Sequence, residues 1–368
     1  MLTRRHFVLN TGLTTASLFI GSKVAGARSA EQSDEAWFMP DEADPHTRTW
    51  MAFGASHSIW GRDLLPEVRR NLATLALTIA KYEPVSMLVR EHEYNPAREM
   101  VGEEVQLIVS PLDDLWIRDT GPVFVITEQG KKAGVNFNFN GWGEKQAYRR
   151  DAEVADLVAS EAGVKTIDTQ LVMEGGCIEV DGHGTAIITE SCTLNENRNP
   201  GISKAQFEDL LMPLLGLDKI IWLPGIKGMD ITDGHTDFYA RFARPGVVLA
   251  AYDPDPSSFD HEVTKLHLER LGVATDAQGN KLKIIPLEGP STLRKAYKTN
   301  HFAAGYIGFY VCNDAVIMQE FGDARADNAA KTAIQKAYPD RIIEQINIDG
   351  ITAGGGSIHC ATQQEPMV

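Results

Sequence analysis

Cys360, close to the end of the chain, stands behind three glycines and a histidine in Gly354-Gly355-Gly356-Ser357-Ile358-His359-Cys360. Three other short stretches also combine reactive side chains with glycine: Asp113-Asp114-Leu115-Trp116-Ile117-Arg118-Asp119-Thr120-Gly121-Pro122, Met173-Glu174-Gly175-Gly176, and Asp230-Ile231-Thr232-Asp233-Gly234-His235-Thr236-Asp237. Glycine allows backbone to approach a ligand closely. Cys360 with His235 supplies a nucleophile and a proton shuttle, and Asp119, Glu174 and Asp237 supply a carboxylate cradle for a planar cation. Singly, each residue has a plainer role open to it. Cys360 can be a small buried hydrophobe, and Trp116 can be core packing. Asp119 can pair with Arg118 on the surface, Glu174 can cap a loop, His235 can satisfy a turn, and Asp237 can end a strand. Only their combination points to chemistry.

For such distant residues to meet, the elements between them must repeat. Pro122 to Thr127 and Gly134 to Asn138 read as strands around a turn, followed by a helix at about 147–161 and a strand near Lys165 to Ile167. Cys177 to Val180 and Thr185 to Thr189 flank the hairpin turn Asp181-Gly182-His183-Gly184. Ser203 is positioned to cap a helix through Leu215, and Lys219 to Leu223 is a strand. The same order recurs over Asp237 to Pro286 and over Gly305 to Gln345. A fifth copy is assembled from Thr49 to Phe53, a helix at about 64–82, Val85 to Val89, Leu107 to Val109 and the C-terminal strand. Repeats of this period suggest a radial or stacked α/β architecture in one catalytic domain, residues 37–368. Equivalent ends of a ring would converge on a natural pocket.

Composition narrows the partners. Formal net charge is −15 over 368 residues, which argues against nucleic acid and suits a small cationic substrate through long-range steering. Four cysteines, at 177, 192, 312 and 360, include no C-x-x-C, so a structural zinc site has no sequence support. Residues 1–27 read as a twin-arginine-type signal peptide: Arg4-Arg5 precede a run too short and polar to span a membrane, and Ala25-Gly26-Ala27 suits a signal peptidase. The expected location is therefore periplasmic or secreted, with no membrane span after cleavage. Sequence leaves the oligomeric state open, a homo-oligomer included.

The stretches Trp116-Ile117-Arg118-Asp119-Thr120-Gly121-Pro122, Glu174-Gly175-Gly176, Asp233-Gly234-His235-Thr236-Asp237 and Gly354 to Cys360 resemble the signatures of the agmatine deiminase and bacterial peptidyl-arginine deiminase family. Further similarity runs through Asn138 to Gly143, Leu194 to Pro200, Trp222-Leu223-Pro224 and Cys360-Ala361-Thr362-Gln363-Gln364. The resemblance implies a five-bladed, pseudo-symmetric α/β propeller of ββαβ repeats, which agrees with the repeated order. It implies that Cys360 attacks a guanidinium carbon and that His235 protonates the leaving ammonia and then activates water. It further implies that Asp119 and Asp237 grip the guanidinium nitrogens, Glu174 orients His235 or the substrate, and Trp116 lines the substrate channel. The expected reaction is deimination of agmatine to N-carbamoylputrescine through an amidino-cysteine, without metal or cofactor. Deimination of peptidyl-arginine, a non-catalytic binder of guanidino compounds, and a metallohydrolase using His235, Asp237 and His183 are the competing readings. The chain departs from the family at Glu42-Ala43-Asp44-Pro45-His46 and at Gly54 to Trp60, which flank the distal end of the substrate.

Overall fold

A computed structural model describes residues 35–295 and 301–368, and Ala36–Val368 form one compact unit. The expected signal segment lies outside the described residues. The described residues fold as a mixed α/β protein with five separate sheets. In four of them two strands pair antiparallel and a helix then carries the chain to a third strand, parallel to the second. A parallel neighbour cannot be reached by a tight turn, so each crossover needs its helix.

The strands are Val123–Ile126, Lys132–Asn136 and Lys165–Asp168; Ile178–Val180, Thr185–Thr189 and Lys219–Leu223; Ala240–Arg244, Val247–Tyr252 and Lys283–Glu288; and Tyr310–Cys312, Ala315–Gln319 and Ile342–Ile346. The remaining sheet joins the two ends of the chain. Its C-terminal strand Gln363–Pro366 runs antiparallel to His46–Ala52, which is followed in parallel by Val85–Val89 and Val105–Val109. Cys360 is thereby tied to the N-terminal part of the domain.

Local sequence accounts for the crossovers. Helix His57–Ile79 buries Leu65, Val68, Leu72, Leu75, Ala76 and Ile79, a stripe at helical spacing that packs on the adjoining sheet. It begins earlier than the expected residue 64, because Gly61 at φ 68° joins a short first turn to the main helix. Ser203 caps Lys204–Leu215 as expected, its hydroxyl accepting from the Gln206 N–H while the Gln206 side chain accepts from the Ser203 N–H.

The larger departures from the sequence reading fall at the starts of units. The first strands expected at Cys177, Asp237 and Gly305 begin instead at Ile178, Ala240 and Tyr310. Ahead of the strands in four units the chain makes one tight helical turn: Ile117–Thr120, Gly175–Cys177, Thr236–Phe238 and His359–Ala361. Neighbouring turns pack on one another. The helix expected at about 147–161 likewise starts later, as a tight turn Asp151–Glu153 leading into Val154–Glu161. Here the Asp151 carboxylate is engaged by the N–H groups of Asp113 and Asp114.

Candidate active site

Each of the four lead-in turns delivers one or two of the residues singled out from sequence. Asp119 sits in the first, Glu174 immediately precedes the second, His235 and Asp237 flank the start of the third, and Cys360 is the middle of the fourth. All five side chains are buried. Gly176 explains the closeness of this packing: a Cβ there would lie 2.5 Å from His235 Nδ1, 3.0 Å from Asp119 Oδ1 and 3.1 Å from Asp237 Oδ2. Only glycine admits the three groups around one point.

His235 Nε2 lies 3.1 Å from Glu174 Oε2, and Nδ1 lies 3.7 Å from Asp119 Oδ1. Burial disfavours the imidazolium, but Asp119 and Glu174 outweigh it and push His235 up to about 10. His235 is therefore protonated at neutral pH. Burial likewise opposes ionisation of Glu174, yet the hydrogen bond from His235 and the Arg198 guanidinium hold its carboxyl down at about 2. Asp119 is pushed the other way, to about 6, by burial and the nearby charges of Glu174 and Asp237, against the pull of His235 and Trp142. Its Oδ1 accepts from the Gly176 N–H at 3.2 Å, and its Oδ2 accepts from the Trp142 indole N–H at 2.9 Å.

The Cys360 thiol lies 3.8 Å from Asp237 Oδ2 and 3.3 Å from the Ser357 hydroxyl. Burial, then the charges of Asp237 and Asp119, hold this thiol well above its ordinary range, with Ser357 pulling the other way. A bound cation between sulfur and carboxylates reverses that balance. Among the described residues, Asp237 Oδ1 and His235 Nδ1 are buried without a hydrogen-bond partner. Buried polar atoms are rarely left so. Both belong to the cluster around the sulfur, where a planar N–H donor would satisfy the carboxylate.

A cavity of about 1150 Å³ leads to Cys360 and Asp119 and is lined by Trp60, Trp116 and Trp142 among others. Trp116 is both cavity wall and core: it is buried, packs against Trp60 with ring centroids 5.7 Å apart, and lies against Gly356, where a Cβ would strike its ring. His183 is not part of this cluster. It is exposed in the hairpin turn after Val180, at the opposite end of the strand from the lead-in turn. The metal set of His235, Asp237 and His183 is thus not assembled. One other group, Glu174, Cys177 and His235, places its donor atoms within 4.8 Å of one another; there the Cys177 thiol donates to Glu174 Oε2 at 3.1 Å.

Sequence reasoning assigns no site role to the arginines around these carboxylates. Arg198 is fully buried, with Nε 2.6 Å from Glu174 Oε1, Nη1 3.2 Å from Asp233 Oδ2, and Nη2 donating to the Thr232 carbonyl. Its neighbourhood in the motif Leu194 to Pro200 was the available signal. Arg198→Ala takes the guanidinium from a fully buried ion pair and leaves Glu174 paired with His235, and we expect a loss of about 3–5 kcal/mol in unfolding free energy, measured by urea denaturation. A loss below about 1 kcal/mol, the scale of an exposed pair, would contradict this role. Arg118 does not pair with Asp119; it binds Glu42 at 3.1 Å and Gln364 at 2.7 Å.

A buried thiol, an imidazole and three carboxylates thus meet on adjoining turns of a mixed α/β scaffold, an arrangement able to support nucleophilic hydrolysis of a C–N bond. Residues 38–366 match the family described as Porphyromonas-type peptidyl-arginine deiminase, and the chain belongs to that family. A Streptomyces avermitilis chain provisionally named an agmatine deiminase is 40% identical over 339 residues, covering 89% of this chain and 96% of its own. The agmatine deiminase of Stutzerimonas stutzeri is 35% identical, covering 90% and 96%. The solved structure of agmatine deiminase from Enterococcus faecalis superposes with a TM-score of 0.84 at 33% identity, covering 90% of this chain and 96% of that one. The chain is thus an enzyme of the C–N hydrolase type that acts on a guanidino group.

Proposed function

We propose that the protein hydrolyses agmatine to N-carbamoylputrescine and ammonia. The five sheets are read as blades of a closed propeller, with the lead-in turns gathered about its axis. The observation that carries the reaction is the pair of unpartnered buried atoms, Asp237 Oδ1 and His235 Nδ1, in one cluster with the Cys360 sulfur. The names of the relatives that span nearly the whole chain support agmatine as the substrate.

The chemistry follows from the electrostatics. In the free enzyme burial, together with the charges of Asp237 and Asp119, keeps the Cys360 thiol protonated. A guanidinium gripped by Asp119 and Asp237 cancels their charge, the thiol gives its proton to solvent in the cavity that leads to Cys360, and the sulfur faces the central carbon of a planar cation. Thiolate attack forms the C–S bond. His235, already protonated, gives its proton to one nitrogen, the C–N bond breaks, and ammonia leaves. The imidazole then takes a proton from water as its oxygen adds to the amidino carbon. The C–S bond breaks, the hydroxyl proton passes to the departing sulfur as the C=O forms, the ureido product leaves, and the thiol of the free enzyme is restored. Positioning of carbon against sulfur is the main contribution of the carboxylates.

Ammonia and ureido product are to be measured with agmatine, free arginine and a short arginine peptide. Turnover of agmatine well above the other two is expected. Product formed from the peptide and not from agmatine would overturn the agmatine assignment in favour of protein deimination.

A further inference from the structure

His359 precedes the Cys360 nucleophile and has no part in the reaction as written, yet both of its ring nitrogens are engaged by carboxylates. Nδ1 lies 2.7 Å from Asp237 Oδ2, and Nε2 lies 2.9 Å from Glu42 Oε2. Neutral imidazole has one donor and one acceptor nitrogen. Carboxylate oxygens at both nitrogens, at these distances, are satisfied together only by a ring that donates from each. Glu42 is itself held on the other side by Arg118 at 3.1 Å and Arg241 at 2.8 Å, and its Oε1 accepts from the Val311 N–H at 2.8 Å. Burial opposes ionisation of Glu42 and Asp237, yet these partners hold both carboxyls below their usual range. The His359 backbone is fixed as well, its N–H donating to the Gly308 carbonyl at 3.0 Å.

Asp237 Oδ2 is also the carboxylate oxygen that accepts from the sulfur, 3.8 Å from Cys360 Sγ, while Oδ1 is the unpartnered one. We propose that His359 is a positioning residue for the deimination: braced by Glu42, it donates to Asp237 Oδ2, so that Oδ1 is presented to the guanidinium and the charge facing the Cys360 sulfur is reduced. This rests on the proposed reaction. Rotation of the Asp237 carboxylate, which the hydrogen bond prevents, would misplace the cation relative to the sulfur. Glu42 acts one step further out, by fixing the plane of the ring.

Asparagine and glutamine separate the two bonds. The amide of His359→Asn reaches the position of Nδ1 and serves Asp237; that of His359→Gln reaches the position of Nε2 and serves Glu42. Each full-length variant is to be compared with the parent for agmatine kinetics, for thermal unfolding, and for the pH dependence of Cys360 alkylation by iodoacetamide without substrate. We expect His359→Asn to keep kcat/KM within about 10-fold of the parent and His359→Gln to lose about 100-fold, the scale of a misplaced reacting group. We also expect the alkylation midpoint of His359→Gln to lie at higher pH than that of His359→Asn. Equal kcat/KM in the two folded variants, or alkylation profiles that coincide with the parent, would overturn the proposal. If the parent itself releases no ammonia from agmatine, the functional reading fails, and the alkylation profiles still decide the role of His359.

Discussion

Cys360→Ser is expected to lose at least about 10⁴-fold in turnover while still binding the guanidinium substrate. The hydroxyl would occupy nearly the place of the thiol, so Asp119, Asp237 and their fixed partners Trp142 and His359 keep their positions. Binding therefore persists. Attack does not, because a hydroxyl gives up its proton far less readily than a thiol, and among the described residues the side-chain oxygens bonded to the sulfur belong to Ser357 and to a carboxylate already bonded to His359. Ammonia release measured beside calorimetric titration with agmatine separates the two properties. Turnover within about 10-fold of the parent would remove Cys360 from the nucleophile's role.

His235→Gln is expected to lower kcat by about 10²- to 10⁴-fold, the range for removal of a positioned proton donor. The leaving nitrogen then departs unprotonated, and water has no base. The pH profile carries the sharper signature. Asp119 must be ionised to grip the cation, and its carboxyl is pushed up to about 6, so kcat/KM should rise with pH through that value. His235 must be protonated to release ammonia, and it is pushed up to about 10, so the parent's rate should fall as pH rises through that value. In His235→Gln the alkaline limb should vanish, and the acid limb should move to higher pH because Asp119 loses the pull of His235. Ammonia release followed from pH 5 to pH 11 checks both limbs. An alkaline limb that persists unchanged in the variant would assign the proton donor elsewhere.

The order of elements was legible because its signals are local. Asp181 to Gly184 is turn chemistry between two runs of strand formers, and Ser203 with Gln206 is a capping box. The lead-in turns were not legible. Asp237 to Ala243 is an uninterrupted stretch that reads as strand, and its first residues are turned aside by packing against neighbouring units, as where the Thr236 hydroxyl donates to the Cys177 carbonyl at 2.6 Å. Such contacts leave no trace in a periodicity. The same contrast holds within the site. Glycine within four positions of each reactive residue exposed Asp119, Glu174, His235, Asp237 and Cys360 to a sequence reading. Glu42 and His359 are 317 positions apart, and nothing local in either stretch marks the bond between them. Arg198 is an ordinary arginine in sequence and becomes a buried partner of Glu174 only in the fold.

Mass spectrometry of the full-length protein, acid-quenched within the first turnovers of agmatine, looks directly for the bond on which the mechanism depends. A population heavier by the mass of agmatine less ammonia, with the increment mapped to the peptide carrying Cys360 and absent in Cys360→Ser, is the expected result. Release of ammonia in those same turnovers with Cys360 unmodified, or with the increment on another residue, would contradict attack by the Cys360 sulfur.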